Sequence, residues 1–166
     1  MSLAQRTGTR PDVHLNILPE RIVTVLAISP YEEDHIALRS IFSHSNWILR
    51  TARTWGEAQA GLAAQAATVV ISEASLPDAS WKDVLASLES ATDKPVLVVT
   101  SRLADERLWG EVLNLGGYDV LMKPFDQNEV VRVLGLAWLN WRKARETPER
   151  RSPAAMALPK LAAAGA

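Results

Sequence analysis

Five short apolar segments alternate with helical segments along most of this chain, and this alternation constrains its fold more than any other feature. The apolar segments are rich in Val, Ile and Leu and lie at residues 21–28, 47–52, 68–72, 95–100 and 119–122. Helical segments follow them at residues 30–42, 54–65, 81–88, 104–113 and 126–144. Strands that are each followed by a helix predict a parallel sheet with helices on both faces, joined by right-handed connections.

Capping residues mark where several of these helices begin and end. Ser29 precedes a proline and has the form of an N-cap residue before a first-turn proline. Thr54 and Asp126 each precede a glutamate by three residues, which is the pattern of a capping box. Gly116 and Gly117 follow a helix instead of opening one, so we interpret them as a helix stop and not as a phosphate-binding loop.

Polar side chains stand at the ends of three of the predicted strands. Glu73, Thr100 and Lys123 each close or follow a buried apolar run. In an open parallel sheet, ligands bind outside the carboxyl ends of the strands. We therefore expect these three side chains to converge, and we expect Glu73 to form an ion pair with Lys123.

The order and spacing of these residues resemble those of response-regulator receiver domains, over residues 21–144. Glu73 stands four residues before Pro77, where that family has its phospho-accepting aspartate before a Met/Leu-Pro turn. Thr100 stands at the family's Ser/Thr position, and Lys123 opens its Lys-Pro-Phe motif after the fifth strand. The resemblance implies a flavodoxin-like, doubly wound α/β fold with five parallel strands in the order 2-1-3-4-5. It also implies a role in two-component signalling, in a phosphorelay.

The pocket positions depart from the family pattern in four ways. Ser29 and Pro30 occupy the positions of the acidic pair that holds Mg²⁺, and Glu73 occupies the phospho-acceptor position. Val120 stands at the position of the aromatic switch residue, and Trp81 stands at the pocket edge, where the family usually has glycine. Phosphoryl transfer to a carboxylate needs Mg²⁺ to neutralise charge. The chain therefore resembles a degenerate receiver, or pseudo-receiver, for which we expect no catalytic residue, no metal site and no cofactor.

Three further acidic residues, Glu32, Glu33 and Asp34, follow the first strand within the first turns of the predicted helix. The helix dipole favours acidic residues at a helix amino terminus without any metal. We interpret these residues in that way. The alternative is that one of them replaces the missing acidic pair as a metal ligand.

The favoured function is a phosphorylation-independent receiver that acts as a signalling adaptor through protein contacts, locked in one state by the pair of Glu73 and Lys123. One alternative is a phosphorylatable receiver that accepts phosphate on Glu73 or a nearby acidic residue. The extra methylene of Glu73 argues against it, since a misplacement of about 1 Å can cost about 100-fold in rate. Another alternative is a small-ligand sensor that uses the less charged pocket under Trp81.

The tryptophans of the last two helices indicate a possible protein interface. Trp138 and Trp141 are three residues apart and share a helix face, and Trp109 lies on the preceding helix. Large aromatic side chains are favoured anchors of interfaces, although core packing explains them equally well. The expected partner is a histidine kinase or a downstream effector, and a homodimer through the last helix is a further option.

Composition argues against several other classes of function. The formal net charge of −1 gives no electrostatic basis for binding nucleic acid, and the absence of cysteine excludes disulfides and thiolate metal sites. No apolar run reaches about 18 residues, so we expect no membrane partner and a cytoplasmic location. Residues 1–20 are expected to be a flexible arm, and residues 145–166 a low-complexity, disordered tail too short for an output domain.

Overall fold

The computed structural model describes residues 22–146, which form the five predicted βα units. The strands are β1 Thr24–Ile28, β2 Ile48–Ala52, β3 Val69–Glu73, β4 Val96–Ser101 and β5 Asp119–Met122. The helices are α1 Glu32–Phe42, α2 Trp55–Ala64, α3 Trp81–Glu89, α4 Glu106–Leu115 and α5 Gln127–Glu146. Helix α5 includes the first two residues that the sequence assigns to the tail, whereas the rest of the tail and the arm lie outside the described residues. None of the helices within residues 22–146 is long and apolar enough to cross a membrane.

The five strands are all parallel and lie in the order β2-β1-β3-β4-β5, which confirms the predicted flavodoxin-like topology. The register aligns the carboxyl ends of neighbouring strands. Glu73 of β3 is paired with Thr100 of β4, and Ser101 of β4 is paired with Met122 of β5. Polar residues at these strand ends are therefore brought to one edge of the sheet.

Two hydrophobic cores lie on opposite faces of the sheet. In β1, Leu26 and Ile28 belong to the core under α2, α3 and α4, whereas Val25 and Ala27 belong to the core under α1 and α5. Successive side chains of a strand point to opposite faces. Because helices cover both faces, a central strand needs apolar residues at every position, which explains the near-continuous apolar runs in the sequence.

Helix α1 begins later than a cap at Ser29 would place it. Its N-cap residue is Tyr31, which makes no capping hydrogen bond through its side chain. The Ser29 hydroxyl instead donates to Asp34 Oδ2 at 2.5 Å and accepts from the Tyr31 amide at 3.1 Å. The predicted capping role of Ser29 is therefore wrong, because α1 begins at Glu32 and its N-cap residue is Tyr31.

The other helix boundaries follow the predicted signals closely. Thr54 and Asp126 each accept a hydrogen bond from the backbone N–H three residues later, as capping residues do. The return bond of the first capping box differs, since the Glu57 carboxylate accepts from the Arg53 amide. Gly116 ends α4 with φ at 107°, a left-handed conformation that favours glycine.

Candidate functional site

Glu73, Thr100 and Lys123 meet at the carboxyl edge of the sheet, where the sequence places them. Glu73 ends β3, Thr100 lies beside it in β4, and Lys123 follows β5. The Lys123 ammonium forms an ion pair with Glu73 Oε2, and the Thr100 hydroxyl donates to the same oxygen at 3.4 Å. All three are buried, with exposed fractions of 8%, 2% and 6% in the order named. One oxygen of Glu73 is thus engaged by two donors.

Asp34 is the site residue that the sequence interpretation missed. It lies in the first turn of α1, is 4% exposed, and forms a second ion pair with the Lys123 ammonium through Oδ2. The same oxygen accepts a hydrogen bond from the Ser29 hydroxyl. Helix polarity alone therefore does not account for Asp34, because its side chain turns into the strand-end site. Asp34, Glu73 and Lys123 are hereafter the carboxylate–lysine cluster.

The two acidic residues that precede Asp34 bind cations at other strand ends. Glu32 pairs with Arg53, which follows β2, and Glu33 pairs with Arg102, which follows β4, at 2.7 Å. Both pairs are solvent-exposed, so each is expected to contribute at most about 1 kcal/mol. Together with Asp34, these successive acids connect the start of α1 to the ends of three different strands.

The carboxylate–lysine cluster carries more negative than positive charge. One ammonium against two carboxylates leaves a formal charge of −1. The aromatic ring of Tyr31 lies 4.9 Å from the Lys123 nitrogen, within the range of a cation–π contact. The ammonium is therefore held by the two carboxylates and is also in contact with an aromatic face.

Ser29 and Pro30, which the sequence resemblance places at the positions of the family's acidic pair, carry no carboxylate. Ser29 is buried with its hydroxyl bound to Asp34, and Pro30 is half-buried. Within residues 22–146, no group of three or more Asp, Glu, His or Cys side chains is arranged to hold a metal ion. Asp34 and Glu73 are the two carboxylates of the site, and the Lys123 ammonium contacts one oxygen of each, Asp34 Oδ2 and Glu73 Oε2. In the described residues the site therefore offers two carboxylates, and both share the Lys123 ammonium as their counter-ion.

Trp81 and Val120 both lie in the apolar core. Trp81, the first residue of α3, is 5% exposed and lies in the core, while its backbone N–H donates to the carbonyl of Ala74 beside Glu73 at 3.1 Å; its place at the pocket edge stays a prediction. Val120, at the switch position, is buried at the base of a groove of about 330 Å³ between α4 and α5. Its short side chain leaves that groove open beside Trp109.

The three candidate interface tryptophans occupy two separate surfaces. Trp109 is 51% exposed and donates from its indole nitrogen to Asp119 of β5 at 3.0 Å. Trp138 and Trp141 are half-buried on one face of α5, and each has an arginine guanidinium over its ring, at 5.2 Å and 4.6 Å. A contact through α5 would therefore use Trp138 and Trp141 separately from Trp109.

A five-stranded parallel sheet in this order, with an acidic residue, a hydroxyl residue and a lysine at the ends of β3, β4 and β5, defines the CheY-like class of receiver domains. No protein-family model matches the chain. It is 36% identical over 115 residues to the probable transcriptional regulatory protein TcrX of Mycobacterium tuberculosis. That match covers 66% of this chain and 47% of TcrX, so the chain spans about half the length of this curated relative.

Solved structures of receiver domains are also similar to this chain. The signal receiver domain of an HD domain-containing protein from Pseudomonas fluorescens is 25% identical, with a TM-score of 0.70 over 78% of this chain and 96% of that one. The chemotaxis response regulator CheY4 of Vibrio cholerae is 16% identical, with a TM-score of 0.64 over 70% of this chain and 99% of that one, and shows the fold alone. These comparisons support a CheY-like receiver domain of the response-regulator type.

Proposed function

We propose that this chain is a phosphorylation-independent receiver, a cytoplasmic and non-enzymatic signalling adaptor that acts through protein contacts. The observation that carries the proposal is the carboxylate–lysine cluster, in which Lys123 is bound by two carboxylates of the chain itself. In receivers that switch, the resemblance implies that the corresponding lysine contact depends on phosphate. Here the charge that holds Lys123 is a permanent part of the sequence.

The chemistry of the cluster supports this reading. A carboxylate that accepts a phosphoryl group needs a free oxygen and a cation that neutralises the transferred charge. Glu73 Oε2 is engaged by Lys123 and Thr100, and Asp34 and Glu73 already have the Lys123 ammonium as their shared counter-ion. A phosphoryl donor would therefore meet a buried, already paired carboxylate.

The energy of the cluster favours one state. Separating one partner from a buried ion pair costs about 3–5 kcal/mol, because a charge is left buried without compensation. A gap of about 3 kcal/mol leaves an alternative state at roughly 1% or less of the population. Movement of Lys123 away from Asp34 and Glu73 is thus a rare event unless a partner compensates for it.

Protein partners remain the best match to the surfaces of the domain. A histidine kinase or a downstream effector is the proposed partner, and the half-buried pair Trp138 and Trp141 is the proposed contact for a homodimer through α5. The small-ligand alternative requires open space at the cluster, whereas Asp34, Glu73 and Lys123 are each less than 10% exposed.

The experiment that tests the proposal is a titration with Mg²⁺, and then with Mg²⁺ plus beryllofluoride, followed through the backbone amide signals of Thr100 and Lys123 by NMR. We expect no saturable change in the wild-type chain. A matched positive control restores the family pattern by combining Ser29→Asp, Pro30→Asp and Glu73→Asp, and it should gain a response to both ligands.

A saturable, Mg²⁺-dependent response to beryllofluoride in the wild-type chain, lost in Glu73→Gln, would overturn the proposal. It would establish instead the phosphorylatable receiver, with Asp34 as the second carboxylate beside Glu73. Circular dichroism of each variant verifies that the fold is retained.

A further inference from the structure

A second feature lies at the opposite edge of the sheet from the carboxylate–lysine cluster. A cavity of about 390 Å³ opens there, beside the amino-terminal ends of β1 and β3 and the last turns of α5. A water molecule occupies about 30 Å³ in the liquid, so the cavity has room for several amino-acid side-chain groups. Its principal walls are Ile22, Val23, Ala67, Trp138 and Trp141.

The lining of this cavity favours apolar occupants. The two indole rings and the side chains of Ile22 and Val23 contribute apolar surface to its lining, beside the polar residues Thr24 and Thr68. Its charged residues, Asp93 and Arg145, form an ion pair with each other at 2.5 Å, and the Arg145 guanidinium lies 4.6 Å from the Trp141 ring centroid. Because these charges already compensate each other, an ion has little to gain there, whereas apolar groups would recover the dispersion contacts that the open wall lacks.

The position of the cavity along the chain identifies a candidate occupant. Ile22 is both a wall of the cavity and the first described residue, and it is 69% exposed. The preceding sequence contains the apolar stretch LNIL at residues 15–18, which ends four residues before Ile22. An extended chain spans at most about 3.6 Å per residue, so the Cα atoms of Leu18 and Ile22 can be at most about 14 Å apart.

We propose that this cavity is an intramolecular docking site for residues 15–18, with the apolar side chains of Ile17 and Leu18 as its occupants. A short tether gives such a segment an effective concentration in the millimolar range, so even weak apolar contacts suffice for occupancy. Docking would cover Trp138 and Trp141. The segment and a dimer through these tryptophans therefore exclude each other, which makes the segment an internal competitor for the α5 surface.

The proposal is tested on the full chain with ¹⁵N-labelled tryptophan, whose indole N–H signals are assigned by single Trp→Phe variants. Ile17→Ser combined with Leu18→Ser removes the proposed occupants without adding charge. Asn16→Ser is the matched control, because it changes a polar residue of the same stretch at the same distance from Ile22. We expect the double variant to shift the signals of Trp138 and Trp141 by more than a line width and to leave that of Trp81 in place. The control should shift none of them.

Each other outcome overturns the proposal. Unchanged Trp138 and Trp141 signals in the double variant, or equal shifts in the control, would show that residues 17 and 18 do not occupy the cavity. Shifts that vary with protein concentration would assign the cavity to a second copy of the chain. Shifts of the Trp138 and Trp141 signals in Met156→Ser combined with Leu158→Ser, but not in Ile17→Ser combined with Leu18→Ser, would assign the cavity to the segment after Glu146.

Discussion

Replacement of Lys123 by methionine would show how strongly the carboxylate–lysine cluster depends on its one cation. Methionine keeps an unbranched, apolar side chain and removes the ammonium group. Asp34 and Glu73, which are 4% and 8% exposed, would then stay buried beside each other without the partner they share. We expect the variant to be strongly destabilised.

The magnitude follows from the burial of both carboxylates. Removing one partner of a buried ion pair costs about 3–5 kcal/mol. Here one substitution removes the partner of two carboxylates, so the upper end of that range, about 5 kcal/mol, is expected. Domains of this kind have a total stability of about 5–15 kcal/mol, so the loss is a third or more of the whole. Adding Asp34→Asn and Glu73→Gln removes the stranded charges and should restore most of the loss.

Equilibrium denaturation in urea, followed by circular dichroism, measures these free energies of unfolding. Lys82→Met is the matched control, because Lys82 pairs with Glu111 at the surface, where the two side chains are 49% and 41% exposed. It should cost at most about 1 kcal/mol. The reasoning is refuted if Lys123→Met costs no more than Lys82→Met, or if the triple variant is no more stable than Lys123→Met alone.

Three other predictions concern residues outside the cluster. Burial lowers the pKa of His35 from 6.5 despite a nearby glutamate. As the pH falls, His35 of the unfolded chain is therefore protonated before His35 of the folded chain, so the free energy of unfolding should decrease below about pH 6.5. Urea denaturation at several pH values should show a weaker pH dependence in His35→Gln than in the wild-type chain. A Cβ atom on Gly117 would clash with a valine of α4, whereas one on Gly110 would meet no atom within 4 Å. Thermal unfolding should show a loss of about 1–3 kcal/mol for Gly117→Ala and none for Gly110→Ala, and equal losses would contradict the packing argument. Trp138→Ala combined with Trp141→Ala should reduce self-association in sedimentation experiments if α5 carries a dimer contact, and an unchanged mass distribution in a folded variant would exclude that contact.

The convergence of Glu73, Thr100 and Lys123 could be predicted from the sequence because it depends on topology alone. Parallel strands place all their carboxyl ends at one edge, so a residue that closes a strand is located as soon as the strand is recognised. The strand order also follows from the resemblance, and the structure confirms it. These inferences need no knowledge of side-chain packing.

The role of Asp34 was missed because a helix dipole offered a sufficient explanation for three acidic residues in a row. The signal that distinguishes Asp34 from its neighbours is helical spacing. Asp34 lies four residues before Leu38 and eight before Phe42, and both of these are buried on the face that α1 turns to the sheet. An acidic residue on the buried face of a helix needs a partner, and for Asp34 that partner is Lys123, which follows β5.

Trp81 is a residue for which the local helix pattern predicts more than its family position does. Trp81, Val84, Leu85 and Leu88 are spaced as one apolar helix face, and all four are buried. That pattern alone predicts core packing under α3. The family position added the prediction of a place at the pocket edge, which burial of the side chain in the core does not by itself test.

Under the proposed phosphorylation-independent function, the source of the negative charge that binds Lys123 limits where the domain can be regulated. A switch needs a charge that can be added and removed, such as a phosphoryl group with its metal ion, so that the state of the site depends on its chemistry. Asp34 and Glu73 are covalent parts of α1 and β3, and their pairing with Lys123 joins these elements to the end of β5 in every molecule. Under the proposed function, a change in the chemical state of the cluster therefore does not control partner binding. Regulation is then expected at surfaces such as Trp138 and Trp141, where occupancy by another segment or another chain decides what is exposed. Lys123→Met therefore measures how strongly the carboxylate–lysine cluster is fixed. Ile17→Ser combined with Leu18→Ser measures whether residues 15–18 cover Trp138 and Trp141.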